Sequence, residues 1–392
     1  MGINYSAYQL PDELIELKNK YRRFNAEEII PLETDSGLGY DADRLPEEDR
    51  ERLVKKCKAE GLWGPNVPRE YGGIDLNAFS WCVVAEEWVQ HRAGLYAPGY
   101  GVYGITIIAL PFVIFGGTKD QIEKYAVPSL EQCKMAFWGA TEAGPGSDYA
   151  SLETRAVKKG DYYIINGVKW FASGGLNSDW GLITTLTDKG MSIFIIEKDM
   201  PGVTILPQPG IRRAVEPAQV ILENVKVPKE NLLGEENKGG EIARLFFQKG
   251  RAPYSAHNLG VSVAANRIAL EYAKNRVVFG EPLSRKQAIQ GMLVDSEIEI
   301  RAARWLIWEA AQAIDKGKDA RMEVTIAKVF SSETLGRVID RAVQILGGWG
   351  VDQKYPLERW YREARIRRIG EGPSEVHRFQ TIAKLMLREE NN

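Results

Sequence analysis

The sequence predicts a multi-domain α+β protein, with a helical part first, a β part second and a helical bundle last. Helically spaced apolar residues occupy residues 1–128, and β-rich runs separated by Gly, Asn and Asp occupy 129–237. Long helical periodicities fill 238–392, and four such helices with short connections are typical of a bundle. A chain of 392 residues is long enough for two or three domains of roughly 150 residues each.

The composition excludes several classes of protein. Lys and Arg number 51 and Asp and Glu number 53, so the formal net charge of −2 disfavours a strongly basic nucleic-acid binder. The hydrophobic fraction of 44% supplies a packed core and is not that of a disordered chain. The first residues lack a basic segment followed by an apolar run, so we expect no secretory signal and a cytoplasmic location.

Cysteine and histidine are few and scattered. The three cysteines, Cys57, Cys82 and Cys133, form no C-x-x-C pair, which argues against a disulfide framework and a structural zinc site. The three histidines stand far apart, at positions 91, 257 and 377. We therefore predict no bound metal.

Four helices are predicted in the first part, each with a recognisable start or stop. Asn77 is a suitable N-cap, and Thr118 with Gln121 has the form of a capping box. The expected helices are 14–24, ending before Pro31; 52–60, ending at Gly61; 77–91; and 118–128, ending near Pro128.

Residues 93–118 carry no charge, and a stretch of that length could span a bilayer. Its glycines and prolines argue against an unbroken helix, so we predict a buried core segment instead. Gly99, Gly101 and Gly104 fit the pattern G-x-G-x-x-G. No strand precedes them, so a dinucleotide-binding site is not expected there.

Strands and then bundle helices follow along the rest of the chain. The β-rich runs follow one another without long helices and predict a small antiparallel β domain. They lie at 162–165, 180–185, 192–197 and 220–222. The bundle helices are expected at 240–278, 285–316, 320–346 and 374–389.

Two segments of the β part combine residue types that could hold a cofactor. Residues 141–148, after a β-like run at 135–140, form a Gly-rich turn that either exposes N–H groups to an anion or is only a tight loop. Residues 166–175 place Trp170, Phe171 and Ser173 before two glycines. Aromatic residues in strands are usually core, but a flat cofactor also needs an aromatic wall and a nearby hydroxyl.

Glu371 stands between two glycines, just before a Pro-Ser helix start. Its carboxylate can stabilise the N-terminus of that helix through the helix dipole. It can also be held on a turn that faces a ligand, and the residues alone leave both roles open.

Together, these motifs resemble those of the acyl-CoA dehydrogenase family, in order and along nearly the whole chain. The family fold has an N-terminal helical domain, a middle β domain and a C-terminal four-helix bundle, which agrees with the three predicted parts. The segments that carry the resemblance are 61–64, 68–73, 86–87, 117–125, 141–148, 166–175, 225–234, 276–280, 344–350, 355–356 and 371–372.

The resemblance implies an FAD between the β domain and the bundle, with part of its site supplied by a neighbouring subunit of a homotetramer. Arg276 suits the pyrophosphate, because its guanidinium fork matches phosphate oxygens. The implied cofactor contacts are Thr141, Ser147, Phe171, Ser173, Arg276, Phe279, Gln287, Gln344, Gly348, Pro373 and Glu375, of which those from Arg276 to Gly348 would serve the neighbour's FAD.

The resemblance also implies dehydrogenation of an acyl-CoA, with electrons passed to an electron-transfer flavoprotein. Glu371 aligns with the usual base, which takes the α-proton while the β-hydride goes to the flavin. One branch of the family carries its base on the first bundle helix, where this chain has Gly250 and no acid. The implied substrate contacts are Ser147, Gln248, Arg251, Gly370 and Gly372.

Departures from the family pattern leave the acyl group open. Gly370 stands where many members carry tyrosine, Gln248 where aspartate is frequent, and Pro373 where a hydroxyl residue touches FAD. Residues 371–378 resemble a subgroup linked with long or unusual, including hydroxylated, acyl chains. The missing aromatic at Gly370 predicts room for a substituent near the reacting carbons.

Two other functions are compatible with the same fold. An acyl-CoA oxidase would pass electrons to oxygen, and Glu371 does not argue against it. A nucleic-acid-associated flavoprotein would use a basic surface, and residues 359–368 are rich in arginine. Glu358 and Glu363 interleave with these arginines, which favours a structural or cofactor-facing role, so no nucleic acid is expected.

Overall fold

A computed structural model describes residues 9–35, 37–104, 109–132, 136–208 and 217–387. Within these ranges, the chain forms a helical part, a β-sheet domain and a helical bundle, in that order. Cys57 and Cys82 are buried and form no disulfide with each other. Cys133, residues 105–108 of the charge-free stretch, residue 135 of the β-like run and residues 388–389 of the last predicted helix lie outside the described residues.

The N-terminal part contains the four predicted helices, with the caps that the sequence indicated. The Asn77 side chain accepts a hydrogen bond from the Ser80 N–H at 2.8 Å, and Thr118 forms a complete capping box with Gln121. The helices are α1 (Asp12–Phe24), α2 (Ile30–Asp35), α3 (Glu47–Ala59), α4 (Ala78–Trp88), α5 (Ala109–Gly116), α6 (Lys119–Gln121) and α7 (Val127–Glu131).

Two predicted helix ends are wrong for the same reason. The helices expected to end before Pro31 and near Pro128 continue past these prolines. In each case a π-helical turn, Asn25–Ile29 or Ile122–Ala126, precedes the proline. The proline then lies in the first turn of the next segment, where its missing N–H has little effect on the helix.

The charge-free stretch forms no long helix where the structure describes it. A 3-10 helix spans Gly94–Tyr100 and α5 is short. Among the described residues, no helix combines the length and the apolar character that crossing a membrane requires. Gly104 is a packing glycine, because a Cβ there would lie 2.2 Å from the Trp63 ring.

Among the described residues, an eight-stranded sheet forms the middle domain, and each predicted strand is present but longer. The strands are β1 (Phe137–Gly139), β2 (Arg155–Lys159), β3 (Tyr162–Ser173), β4 (Trp180–Leu186), β5 (Met191–Glu197), β6 (Val203–Pro207), β7 (Pro217–Pro228) and β8 (Leu232–Leu233). Their order is β6-β7-β3-β2-β4-β5-β8, with β1 also paired to β4. Neighbouring strands are antiparallel, except for short parallel pairings of β4 with β1 and β2.

The C-terminal part is a helical bundle in which α10 packs against both α8 and α9. Its helices are α8 (Gly239–Asn275), α9 (Gln287–Asp315), α10 (Arg321–Leu346), α11 (Leu357–Arg367), α12 (Ser374–Val376) and α13 (Ala383–Met386). A hairpin of β9 (Val277–Val278) and β10 (Glu281–Pro282) joins α8 to α9. The sequence did not predict α11, because its many arginines make its apolar periodicity difficult to recognise.

The N-terminal part is fixed to the bundle through α4. A buried ion pair at 2.6 Å joins Glu86 on α4 to Arg304 on α9. Gly260 on α8 allows close approach, because a Cβ there would lie 2.2 Å from the Glu86 carbonyl oxygen. These contacts hold α8, which carries part of the candidate active site.

Candidate active site

Glu371 lies on a strained turn between α11 and α12, here called the Glu371 turn (residues 368–373). Its φ angle is 58°, and Gly372 follows with 94°. A positive φ is unusual for a side-chain-bearing residue and persists only where the surroundings impose it. Glycine is required at 372, because a Cβ there would lie 2.6 Å from the His377 ring.

Three side chains from different elements hold the carbonyl groups of this turn. Arg251 on α8 and the His377 ring donate to the Glu371 carbonyl oxygen, at 3.2 and 2.9 Å. Lys328 on α10 donates to the Gly372 carbonyl oxygen at 2.5 Å. No acceptor among the described residues takes the Glu371 N–H, so this donor is available to a ligand.

Burial controls protonation around Glu371. It raises the pKa of the Glu371 carboxyl, while the positive charges of Arg251, Lys328 and Arg367 act in the opposite direction. Burial also lowers the pKa of His377 to about 3, so the ring is neutral and its Nε2–H donates to the carbonyl. A carboxylate with a raised pKa is a stronger base, which suits proton abstraction.

Two tyrosines lie near the carboxylate. Burial, and then the charge of Glu371, raises the pKa of Tyr149 to about 12. Tyr254 on α8 stacks against the Arg367 guanidinium, 4.0 Å from the ring centroid. A Cβ at Gly370 would lie 3.5 Å from the Tyr254 hydroxyl oxygen. The space predicted beside Gly370 is therefore limited on one side by the Tyr254 hydroxyl group.

A cleft of about 390 Å³ is connected to the Glu371 turn through Arg251, which lines the cleft and also donates to the Glu371 carbonyl oxygen. Two predicted substrate contacts, Gln248 and Arg251, line it together with Tyr149. Gln248 is also fixed by its own hydrogen bond, donated to the Lys318 carbonyl oxygen at 3.0 Å. Further cations line the cleft and suit an anionic ligand. They are Arg244, Arg321 and Lys384.

A buried ion pair holds the Gly-rich segment of the β domain, here called the glycine loop (residues 141–148). The Glu142 carboxylate accepts from Lys169 Nζ and from Thr154 Oγ1, both at 2.6 Å. The Trp170 N–H donates to the Thr141 carbonyl oxygen at 2.8 Å. The glycine loop is therefore tied directly to β3.

A β-bulge presents Phe171 to the surface. The pairing of β3 with β7 shifts register between Lys169 and Ala172, and Phe171 has a φ of 60°. The Phe171 side chain is 48% exposed, and Ser173 is half-buried two residues further on. The exposed ring of Phe171 is suited to packing against a flat ring system, and Ser147 of the glycine loop is also exposed.

Five predicted cofactor residues, here called the bundle-end residues, are Arg276, Phe279, Gln287, Gln344 and Gly348. Arg276 after α8 and Gly348 after α10 line one cleft of about 560 Å³. Phe279, on the turn of the β9–β10 hairpin, is 97% exposed. Gln287 opens α9 and Gln344 lies in the last turn of α10, and both are exposed. The fold thus brings Arg276 and Gly348 together at a surface.

The last two predicted cofactor residues flank the start of α12. Pro373 is half-buried at the end of the Glu371 turn. Glu375 is exposed and lies 3.9 Å from Arg368. Both are therefore next to the candidate base.

The arginine-rich run at 359–368 is largely paired within the protein. Arg359 is buried against Glu363 at 2.8 Å, and Arg362 pairs with Glu358 at 2.5 Å. Arg367 is buried and donates to a backbone carbonyl at 2.9 Å. These contacts account for most of the run and disfavour the nucleic-acid interpretation of this segment. Among the described residues, no group of His, Cys, Asp and Glu could hold a metal ion.

The sequence motifs did not identify Lys328, Tyr149 and Tyr254 as site residues. Lys328 had a detectable signal, because it stands between Ala327 and Val329 on the buried side of a bundle helix. The tyrosines had none, since aromatic residues are common in cores.

A carboxylate of raised pKa lies on a strained turn, and an arginine that holds this turn also lines a cation-rich cleft. This arrangement defines a candidate general-base enzyme with an anionic ligand. The family models for acyl-CoA dehydrogenase then match the chain in three parts: the N-terminal domain at 11–132, the middle domain at 137–225 and the C-terminal domain at 237–387. The chain belongs to the acyl-CoA dehydrogenase family, whose members are FAD-dependent oxidoreductases that act on CH–CH bonds. The predicted family and fold class are confirmed.

Individual relatives share nearly the whole chain. It is 35% identical over 374 residues to 3-(aryl)acrylate reductase of Clostridium sporogenes, covering 93% of this chain and 96% of that protein. It is 33% identical over 379 residues to the caffeyl-CoA reductase-Etf complex subunit CarC of Acetobacterium woodii, covering 95% and 99%. The structure of butyryl-CoA dehydrogenase from Megasphaera elsdenii is similar with a TM-score of 0.84 at 31% identity, covering 97% of this chain and 100% of that one.

Proposed function

We propose that this protein dehydrogenates an acyl-CoA thioester to the trans-2-enoyl-CoA, with Glu371 as the catalytic base. The observation that carries the proposal is the Glu371 turn, which holds a carboxylate of raised pKa and is itself held by Arg251, a residue that lines the cation-lined cleft. The alternative base position supports it. The atoms nearest to a Cβ at Gly250 belong to the Phe246 ring, at 3.7 Å, so this position has room for a side chain, yet the chain has no acid there.

In this mechanism, Glu371 removes the α-proton of the thioester. The Glu371 N–H donates to the thioester oxygen, on which negative charge develops as the proton leaves. Arg251 and His377 hold the adjoining carbonyl, so the carboxylate and the N–H keep their relative positions. Cations lining the cleft bind the phosphate groups of the CoA portion.

We also propose that the chain binds FAD, which when bound accepts the β-hydride of the substrate. The exposed ring of Phe171 offers a wall for a flat ring system, and the glycine loop offers backbone donors. Arg276 matches a pyrophosphate, and Gly348 lines the same cleft and leaves space there, because it has no neighbouring atom from the described residues within 4 Å of its Cβ position. These residue types fit the cofactor of the family.

The proposed assembly is a homotetramer in which the bundle-end residues reach a neighbour's cofactor. Phe279 is a fully exposed aromatic side chain, and aromatic residues are enriched at protein–protein interfaces. Helix α9 adds apolar residues on one exposed face. They are Val294, Ile298 and Trp305.

The proposed electron acceptor is an electron-transfer flavoprotein. The relative from Acetobacterium woodii, named as a subunit of a reductase-Etf complex, supports this partner. The names of the relatives cover butyryl, arylacryl and caffeyl groups, so the acyl group is to be tested over that range. The cytoplasmic location stays a prediction from the sequence.

Anaerobic stopped-flow spectroscopy tests the function. The FAD-loaded protein is mixed with straight-chain, β-aryl and hydroxylated acyl-CoAs, and then with an electron-transfer flavoprotein or oxygen. Bleaching of the flavin by an acyl-CoA, followed by reoxidation by the flavoprotein, is expected. The corresponding free acids mixed with CoA are the control and leave the flavin oxidised. Flavin that no acyl-CoA bleaches would contradict the dehydrogenase proposal, and faster reoxidation by oxygen would favour an oxidase.

A further inference from the structure

Lys328 is a buried lysine whose ammonium group contacts a backbone carbonyl. Its side chain is fully buried on α10, and its Nζ lies 2.5 Å from the Gly372 carbonyl oxygen. Within the described chain, no carboxylate forms a salt bridge with this ammonium. Burying a charged amine without an ion-pair partner is unfavourable, so a buried lysine at this position points to a functional role for its side chain.

The position of this contact determines what Lys328 can control. The Gly372 carbonyl follows two consecutive residues with positive φ, 58° at Glu371 and 94° at Gly372. A donor on that carbonyl fixes the end of the strained backbone. Without the donor, the turn is free to relax, and the Glu371 carboxylate and N–H would move together.

The positive charges around the carboxylate come from three helices, α8, α10 and α11. Arg251, Arg367 and Lys328 favour the ionised carboxylate. Burial lowers the pKa of Lys328 to about 7, so this cation is the most readily titrated of the three. Four other titratable groups face this cluster, namely Tyr149, Tyr254, Glu333 and His377. The ring of His377 is neutral and adds no charge.

We propose that Lys328 is a positioning residue for the base: it fixes the Glu371 turn through the Gly372 carbonyl, and its charge keeps Glu371 ionised for proton abstraction. The inference rests on the proposed role of Glu371. It assigns to α10, far from the turn in sequence, control over both the geometry and the protonation of the base.

The sign of the electrostatic effect is fixed by the charges. The positive charge of Lys328 lowers the pKa of Glu371, so removing that charge raises it. Flavin reduction needs the ionised base and increases as pH rises through this pKa. In Lys328→Met, the midpoint of that increase should move upward by roughly one pH unit. The limiting rate should fall roughly tenfold or more, because the base is less well placed.

The test compares four variants of the FAD-loaded enzyme with the wild type, using flavin reduction across a pH series. Exchange of the α-protons of the acyl-CoA with deuterated water gives a second readout of the base. Lys328→Arg keeps charge and donor and should retain the wild-type midpoint. Lys328→Gln keeps a donor without the charge and should shift the midpoint. His377→Ala removes a neutral donor from the neighbouring carbonyl, so it should lower the rate without moving the midpoint.

Lys124→Met is the matched control, because it makes the same chemical change at an exposed lysine paired with Glu197. It should leave both the rate and the midpoint unchanged. FAD content and melting temperature are measured for every variant. If Lys328→Met does not fold, the pH midpoint of flavin reduction in Lys328→Gln tests the electrostatic role of Lys328.

Two results would overturn the inference. A wild-type midpoint in both Lys328→Met and Lys328→Gln removes the electrostatic role, and a wild-type limiting rate in Lys328→Met removes the positioning role. Failure of the dehydrogenase proposal itself is read separately, from wild-type protein that no acyl-CoA reduces.

Discussion

The hydroxyl oxygen of Tyr254 lies 3.5 Å from the position that a Cβ of Gly370 would occupy. Many family members carry a tyrosine directly before the base, where this chain has Gly370. Here the aromatic group next to the base is Tyr254, which comes from α8. The glycine and the tyrosine are therefore expected to be coupled, because a larger residue at 370 grows toward Tyr254.

Gly370→Tyr should reduce flavin more slowly with β-substituted acyl-CoAs than with straight ones, because the new ring fills the space near the reacting carbons. Adding Tyr254→Val should recover part of this loss, since it removes the ring that the new tyrosine meets. The measurement is kcat/KM for both substrate types in the two single variants and the double variant. Strictly additive effects would show that the two positions are independent.

Glu371→Gln should bind FAD and acyl-CoA but reduce the flavin roughly 10²–10⁴-fold more slowly, because the amide cannot accept the α-proton. Single-turnover stopped-flow measurements separate this chemical step from substrate binding. Glu51→Gln, on the exposed surface of α3, makes the same change away from the site and should react at the wild-type rate. Unimpaired reduction in Glu371→Gln would assign the base to another residue.

Arg276→Ala should lower FAD retention, because it removes the guanidinium assigned to the pyrophosphate. The flavin-to-protein absorbance ratio after gel filtration measures the loss. Lys274→Ala, two residues earlier and exposed, removes a cation paired only with Glu271 among the described residues and should keep the ratio of the wild type. Equal retention in both variants would argue against the assigned contact.

Phe279→Ser should weaken subunit assembly, because it replaces an aromatic side chain that is 97% exposed in the single chain. Light scattering at decreasing concentration should show the variant dissociating while the wild type stays oligomeric. A wild-type protein that is monomeric and fully active would rule out the shared site.

Lys169→Met should destabilise the protein by about 3–5 kcal/mol, because it leaves the buried Glu142 carboxylate without its cation. The double variant Lys169→Met with Glu142→Gln should lose less than the sum of the two single variants. Denaturant unfolding gives the free energies. A double variant as unstable as that sum would mean that the pair does not act as a unit.

Local signals in the sequence predicted the fold well. The Asn77 cap and the Thr118 capping box depend on residues three positions apart, so pattern alone locates them. The helix ends predicted at Pro31 and Pro128 are wrong, because a π-helical turn before each proline lets the helix continue. The residue pattern gives no signal for such a turn.

The site was predictable only where it consists of contiguous motifs. Glu371 was identified from its resemblance to the family base. The Lys328 contact joins residues 44 positions apart, and the Arg251 contact joins residues 120 apart. Periodicity along one helix cannot show which backbone carbonyl a lysine will meet across the bundle.

The exposed bundle-end residues have a genetic consequence. If Arg276 serves a neighbour's cofactor while Glu371 serves its own, two differently defective copies of the chain can compensate for each other. In a mixed pair of one Arg276→Ala chain and one Glu371→Gln chain, one site receives both defects and the other receives neither. Two inactive alleles expressed together should therefore yield an active enzyme.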